Sequence, residues 1–187
     1  WSKDGQAIEG ANTKELAFDS LATSDAVSYS VSISNEAGTV VSDPATITVH
    51  VPITITQQPE QARVIEGETA SFTVVATGTE PIEYEWRFNS QVIDGATGPV
   101  LTVANASKAN EGSYQVVMKN PAGSVVSEEV KLTVVQPVVI LGQPEGATKL
   151  LGQALTLSVV ASGSEPLVYQ WSKDGQAIEG ANTKELA

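Results

Sequence analysis

The segment WSKDGQAIEGANTKELA stands at residues 1–17 and again, letter for letter, at residues 171–187. A duplication of that length constrains the architecture before any local reading, because a chain that repeats at a fixed offset builds repeated structural units. The offset of 170 residues divides in two: Trp1, Trp86 and Trp171 are spaced by 85, as are Tyr29 and Tyr114. Asn35-Glu36-Ala37-Gly38 returns as Asn120-Pro121-Ala122-Gly123, and Gln58-Pro59-Glu60 as Gln143-Pro144-Glu145. The unit is about 85 residues, the size of one small domain. Two diverged units make one super-repeat.

Within residues 58–136 apolar side chains alternate with polar ones in short runs, the period of half-buried strands. Ala70, Phe72, Val74 and Ala76 share one face, as do Ile82, Tyr84, Trp86 and Phe88. Leu101 and Val103 follow, then Tyr114, Val116 and Met118, then Val130, Leu132 and Val134. Gly67, Gly78-Thr79-Glu80-Pro81, Asp94-Gly95 and Asn120-Pro121-Ala122-Gly123 separate them with turn chemistry. No stretch sustains a helical period. Many short strands with frequent turns predict an all-β chain of antiparallel β-sandwiches. The sibling unit repeats the inward faces with Leu155, Leu157, Val159 and Ala161, then Tyr169 and Trp171, then Leu16 and Phe18, then Tyr29, Val31 and Ile33, then Ala45, Ile47 and Val49.

The chemistry that would point to catalysis is sparse. His50 is the single histidine and no cysteine is present, so no Ser–His or Cys–His pair recurs from unit to unit and no thiolate metal site exists. No metal-ligand spacing and no phosphate-cradling glycine loop occurs, so neither cofactor nor metal is expected. Asp4 with Glu9, and Glu66 with Glu68, lack the carboxylate density of a dedicated calcium loop. Asp4-Gly5 and Asp174-Gly175 instead predict hairpin turns at positive φ. Asn105-Ala106-Ser107 fits a glycosylation sequon. With 22 acidic against 10 basic residues the net charge is −12, which disfavours nucleic acid and anionic membrane as partners. No apolar run is long enough to be a membrane-spanning helix.

Gly67, Val74, Gly78, Pro81 and Trp86, then Leu101-x-Val103, Asn110-x-Gly112-x-Tyr114-x-Val116 and Asn120-x-x-Gly123 together resemble the immunoglobulin superfamily, closest to its intermediate-set domains. The sibling matches through Gly152, Val159, Gly163, Pro166 and Trp171, then Asp25-x-Val27-x-Tyr29-x-Val31 and Asn35-x-x-Gly38. The resemblance implies that Trp1, Trp86 and Trp171 are core tryptophans rather than sugar-stacking platforms, and that Tyr29 and Tyr114 form tyrosine corners. It also places Val74 with Val116, and Val159 with Val31, where the family carries its two cysteines. These valines fill the space without a cross-link that typically contributes about 2–4 kcal/mol. Cysteine-free versions resemble the tandem immunoglobulin-like domains of large exported bacterial proteins. An isopeptide cross-link, known in some bacterial surface domains, needs a buried lysine, whereas Lys131 alternates outward.

The expected division is a C-terminal half-domain at 1–51 (strands C to G), a complete domain at 52–136, and an N-terminal half-domain at 137–187 (strands A to C and the C′ hairpin). Each half presents an open apolar face, so neither is expected to be stable alone. Either covalently adjacent sequence completes each half, or separate chains join head to tail and carry the duplicated strands redundantly. The links Val49–Gln57 and Val134–Gly142 are β-branched, with Pro52 and Pro137 in register and no Gly/Ser-rich stretch, hence stiff. Their apolar Ile53, Ile55, Val138 and Ile140 are expected at domain ends or in first strands.

The resulting expectation is a non-enzymatic structural repeat of an extracellular or cell-surface fibre, filament or stalk, bacterial in origin. Its partner is itself, by continuation, complementation or lateral bundling. The alternatives are a spacer or binding module of an adhesin, or of a large exported hydrolase.

Overall fold

The computed structural model describes all of residues 1–187 and is built from short strands with two single 3-10 turns. Residues 1–51 carry β1 (Ser2–Lys3), β2 (Gln6–Ala7), β3 (Ser28–Ser30), β4 (Ser32–Asn35), β5 (Gly38–Val41) and β6 (Ala45–Thr46). They form one antiparallel sheet of order β2-β1-β3-β6, with β4–β5 as a hairpin extending from it. The turn between β1 and β2 holds Asp4 at φ 47° and Gly5 at φ 77°, and Asp174 (49°) and Gly175 (80°) repeat it, as the Asp-Gly pairs predict.

The next strands are β7 (Thr54–Gln57), β8 (Ala62–Ile65), β9 (Ala70–Thr73), β10 (Val75–Thr77), β11 (Glu83–Phe88), β12 (Gln91–Val92), β13 (Val100–Val103), β14 (Gly112–Asn120), β15 (Gly123–Val126) and β16 (Val130–Val135). One layer runs β12-β11-β14-β16-β8, with β15 paired to β14. The facing layer consists of the pairs β7–β10 and β9–β13. All pairings are antiparallel except β16–β8, which is parallel with Leu132 opposite Ala62. The alternation along the chain carried no sign of this exception. It arises because buried Pro59, which has no N–H to donate, interrupts the edge between β7 and β8 and lets the chain pass from one layer to the other.

The core between these layers contains Ala70, Phe72, Val74, Trp86, Leu101, Ala106, Tyr114, Val116, Met118, Leu132 and Val134, the inward positions of the alternating runs. Phe72 stacks on Tyr114 with ring centroids 4.8 Å apart, and Trp86 lies 6.3 Å from Phe72. Val117 departs from the alternation. It is buried on the opposite face of β14, in register with Glu85 on one side and Val126 on the other. Buried Ser127 is satisfied by accepting from Val116 N–H at 3.0 Å and donating to the Glu128 carbonyl at 2.9 Å. Ser42 repeats both bonds with Val31 and Asp43.

Residues 137–187 form β17 (Val139–Gly142), β18 (Leu157–Ser158), β19 (Val160–Ser162), β20 (Ser172–Lys173), β21 (Gln176–Ala177) and β22 (Glu185–Leu186). β17 pairs with β19, β18 with β22, and β20 with β21. The identical seventeen residues are thus used differently in their two positions. In the first copy β1 pairs with β3, while residues 14–18 form no strand. In the second copy β20 has only its own hairpin partner, while β22 pairs with β18. Glu185–Leu186 pairs with Leu157–Ser158, whereas the identical residues 15–16 have no strand partner.

Candidate functional site: the links between units

The cores and the links of the repeated units carry the recurring contacts. Each tryptophan is anchored by the same bond: its indole N–H donates to a carbonyl twelve residues ahead, Trp1 to Thr13 at 3.0 Å, Trp86 to Gly98 at 2.9 Å and Trp171 to Thr183 at 2.9 Å. Trp86 is fully buried, whereas Trp1 and Trp171 are half-buried. Tyr114 donates its hydroxyl to the Asn110 carbonyl at 2.9 Å, and Tyr29 does the same to Asp25 at 3.4 Å. Burial raises the Tyr114 phenol above its ordinary range. Val74 and Val116 lie in the closed core, while Val31 and Val159 stand half-buried on open faces.

The 3-10 turns that lead into the tyrosine strands are held by short-range polar contacts. In the first, Asp25 accepts from Ala22 N–H and from Lys3 Nζ, both at 3.0 Å. The backbone bond first, and then the lysine, hold its carboxyl below the usual carboxylate range. In the second, Asn110 Oδ1 accepts from Ser107 N–H at 2.8 Å, and Glu111 accepts from Val134 N–H at 2.9 Å. The Lys108 ammonium, 2.6 Å from Glu111, is the main cause of that carboxyl's lowered pKa, with the Val134 bond second.

The links show a repeated device. Val51 N–H donates to Thr79 Oγ1 at 2.7 Å, and Thr79 N–H donates back to the Val51 carbonyl at 3.1 Å. One unit later Gln136 N–H donates to Ser164 Oγ at 2.7 Å, and Ser164 N–H returns to the Gln136 carbonyl at 3.0 Å. The residue before each link proline is therefore clasped on both backbone groups by a hydroxyl residue of the following unit. Gly78 and Gly163, each preceding that hydroxyl, permit the approach. A Cβ on Gly78 would lie 3.2 Å from both the Ile53 Cα and the Pro52 carbonyl, and one on Gly163 would lie 3.1 Å from the Pro137 carbonyl and the Val138 Cα. Other bonds reinforce each clasp. Asn120 Nδ2 donates to the Val51 carbonyl at 2.9 Å, and Gln136 Nε2 donates to Glu66 Oε2 at 3.2 Å. Gln136 thus touches the unit on each side of it. Nothing in the sequence marked Thr79 and Ser164 apart from other hydroxyl residues. Their shared 85-residue spacing beside a glycine was the one available signal.

Ile55 and Ile140 lie within β7 and β17, so the apolar link residues continue into first strands as expected, with Ile53 and Val138 just before them. His50 and Lys131 are exposed, as is Asn105, which sits at φ 50°. The four acidic residues weighed for calcium are dispersed among turns. Asp4 accepts from Ser28 N–H at 3.2 Å and Glu68 from Ile65 N–H at 2.9 Å, and no group of three or more acidic or histidine side chains converges. No helix is long and apolar enough to cross a membrane.

Residues 53–134 match the immunoglobulin I-set domain family. The muscle M-line assembly protein unc-89 of Caenorhabditis elegans is 30% identical over 208 residues, which cover 100% of this chain and 2% of that protein. The human cell adhesion molecule DSCAM is 25% identical over 201 residues, covering 95% of this chain and 10% of its own length. A titin I-band fragment, I67–I69, has the same fold with a TM-score of 0.78 at 24% identity, over 96% of this chain and 70% of the fragment. The chain belongs to the immunoglobulin superfamily and is of I-set type, a tandem of β-sandwiches. The chain spans 2% and 10% of the two relatives, which are named for muscle M-line assembly and for cell adhesion. Both named relatives are animal proteins and lend no support to the bacterial origin expected from the missing cysteines.

Proposed function

We propose that this chain is a stretch of an extracellular or cell-surface tandem array whose role is mechanical: a fibre or stalk of sandwiches set at fixed orientation, without catalysis. Its units are a half-domain at 1–51, a complete domain at 52–136 and a half-domain at 137–187, with the nine tryptophan, tyrosine and valine positions named above as the core of each pair of layers. The observation that carries this reading is the clasp, which recurs at Val51–Thr79 and at Gln136–Ser164. A link bonded on both backbone groups loses the torsional freedom that would let neighbouring units swivel. The same stiffness suits a spacer holding a terminal binding domain away from a surface. The DSCAM likeness favours that second reading, in which a non-repeat domain follows elsewhere in the gene.

Electron microscopy of polypeptides with increasing numbers of covalently joined 170-residue super-repeats tests the mechanical reading. Contour and end-to-end distance should grow together in proportion to repeat number. End-to-end distance growing only as the square root of repeat number, the behaviour of freely jointed units, would exclude a rod.

A further inference from the structure

Most asparagines of the complete sandwich spend their side chains on the fold. Asn89 Oδ1 accepts from Ser113 N–H at 3.0 Å, Asn110 Oδ1 accepts from Ser107 N–H at 2.8 Å, and Asn120 Nδ2 donates to the Val51 carbonyl at 2.9 Å. Asn105 differs. It is exposed, and its carboxamide bonds to nothing in the chain. The residue stands at φ 50° in the turn that leads from β13 to the 3-10 turn of residues 108–110. Asparagine tolerates that conformation better than most residues, which accounts for its presence but gives its amide no task. Ser107 stands two residues on, and Ala106 rather than proline lies between them, so the three read as an acceptor sequence for N-linked sugar. Ala106 is fully buried; its N–H donates to the Glu68 carbonyl and its own carbonyl accepts from Gly67 N–H, both at 2.8 Å. Those bonds fix the turn through its middle residue and leave the Asn105 amide free.

We infer that Asn105 is the attachment site of an N-linked oligosaccharide. The inference rests on the extracellular or cell-surface reading, since the sugar donor is met on the secretory route. In the transfer, Asn105 Nδ2 bonds to the anomeric carbon of a lipid-pyrophosphate-linked oligosaccharide. The carbon–oxygen bond to the pyrophosphate breaks, the lipid pyrophosphate leaves with that electron pair, and the amide gives up one proton. In the folded turn Ser107 Oγ donates to Asn110 Oδ1 at 2.9 Å and Ala106 is held on both backbone groups, so a transferase reaches the three residues only before the turn closes. Once closed, the turn loses no bond to the modification. The sugar then stands at one end of the sandwich. Its turn is bonded to Gly67 and Glu68, and the adjoining Glu66 accepts from Gln136 Nε2 in the link to the next unit. The sibling unit has Ser20-Leu21-Ala22 at the equivalent positions, so the sugar marks the Gln136 link and not the Val51 link. A bulky, hydrated group there holds neighbouring chains off that joint.

Translation of the 187-residue chain behind an added leader peptide, in the presence of endoplasmic-reticulum microsomes, tests the site. The protease-protected fraction is denatured and its mass compared with 19.5 kDa. The expected result is a chain heavier by a single oligosaccharide, which peptide N-glycosidase removes, leaving aspartate at position 105. Asn105→Asp, which suits the positive φ, and Ser107→Asp, which keeps a side-chain oxygen at the head of the 3-10 turn, each abolish the increment. Ser107→Thr retains it. Near-ultraviolet circular dichroism from buried Trp86 and Tyr114 reports that each variant folds. A protected chain of unmodified mass overturns the inference, as does an increment that survives Asn105→Asp. A chain modified in microsomes but bare at Asn105 in material from its native source refutes the secretory reading, and the attachment with it.

Discussion

Val74 and Val116 lie at the centre of the complete core, 1% and 0% exposed, on facing layers. Both contribute packing to one core cluster but leave the unfolded chain unconstrained. Replacing both by cysteine, Val74→Cys with Val116→Cys, should give a bond in oxidising buffer that closes a long loop and stabilises by about 2–4 kcal/mol. Mass spectrometry under non-reducing conditions and the shift in urea midpoint check it, and free thiols after oxidation would show that the two side chains do not meet. Gly78 is the opposite case, a position where a missing side chain matters. Gly78→Val would press on Pro52 and Ile53 and should cost about 1–3 kcal/mol in urea denaturation. Gly98, with open space around its Cβ direction, should accept alanine within about 0.5 kcal/mol.

At the scale of elements, the turn of residues 108–110 couples one end of the sandwich to pH. Glu111 accepts from Val134 N–H and faces Lys108, and its folded pKa lies below the ordinary glutamate value. A depressed carboxylate pKa contributes stability above the unfolded value, and that contribution disappears as pH falls through the folded value. Glu111→Gln should therefore lower the urea midpoint at neutral pH and flatten its fall on acidification, so that variant and parent converge in strong acid. Parallel curves for the two proteins would assign the acid sensitivity elsewhere, with Asp25 the next candidate. The alternating faces of β9, β11 and β14 were legible in the sequence because a period of two is a local property of strands. The parallel pairing of β8 and the burial of Val117 were not. Both depend on which neighbour a strand meets, and alternation is silent about neighbours.

At the scale of the whole molecule the proposed role rests on the links. Thr79→Val and Ser164→Ala remove the hydroxyl from each clasp while the returning backbone bond remains. Each change should cost about 1 kcal/mol of local stability. The doubly substituted chain should show a broader distance distribution in small-angle X-ray scattering than its parent. An unchanged distribution would mean that the prolines and packed isoleucines alone set the stiffness.

The sequence by itself determined the repeat length, the β-sandwich class, the inward faces and the positive-φ hairpin turns, since periodicity and turn chemistry are written in neighbouring residues. It also shows that the unit recurs every 85 residues, because the duplication and the spacing of Trp1, Trp86 and Trp171 are matters of counting. Only the tertiary structure decided what the duplicated residues do. The same seventeen residues pair through Ser2 and Lys3 in one place and through Glu185 and Leu186 in the other. A strand's identity is completed by the edge that accepts its hydrogen bonds, and that edge lies elsewhere in the chain. The clasps at Val51 and Gln136 were hidden for the same reason: a hydroxyl becomes a fastener only when folding brings an unpaired backbone N–H within its reach.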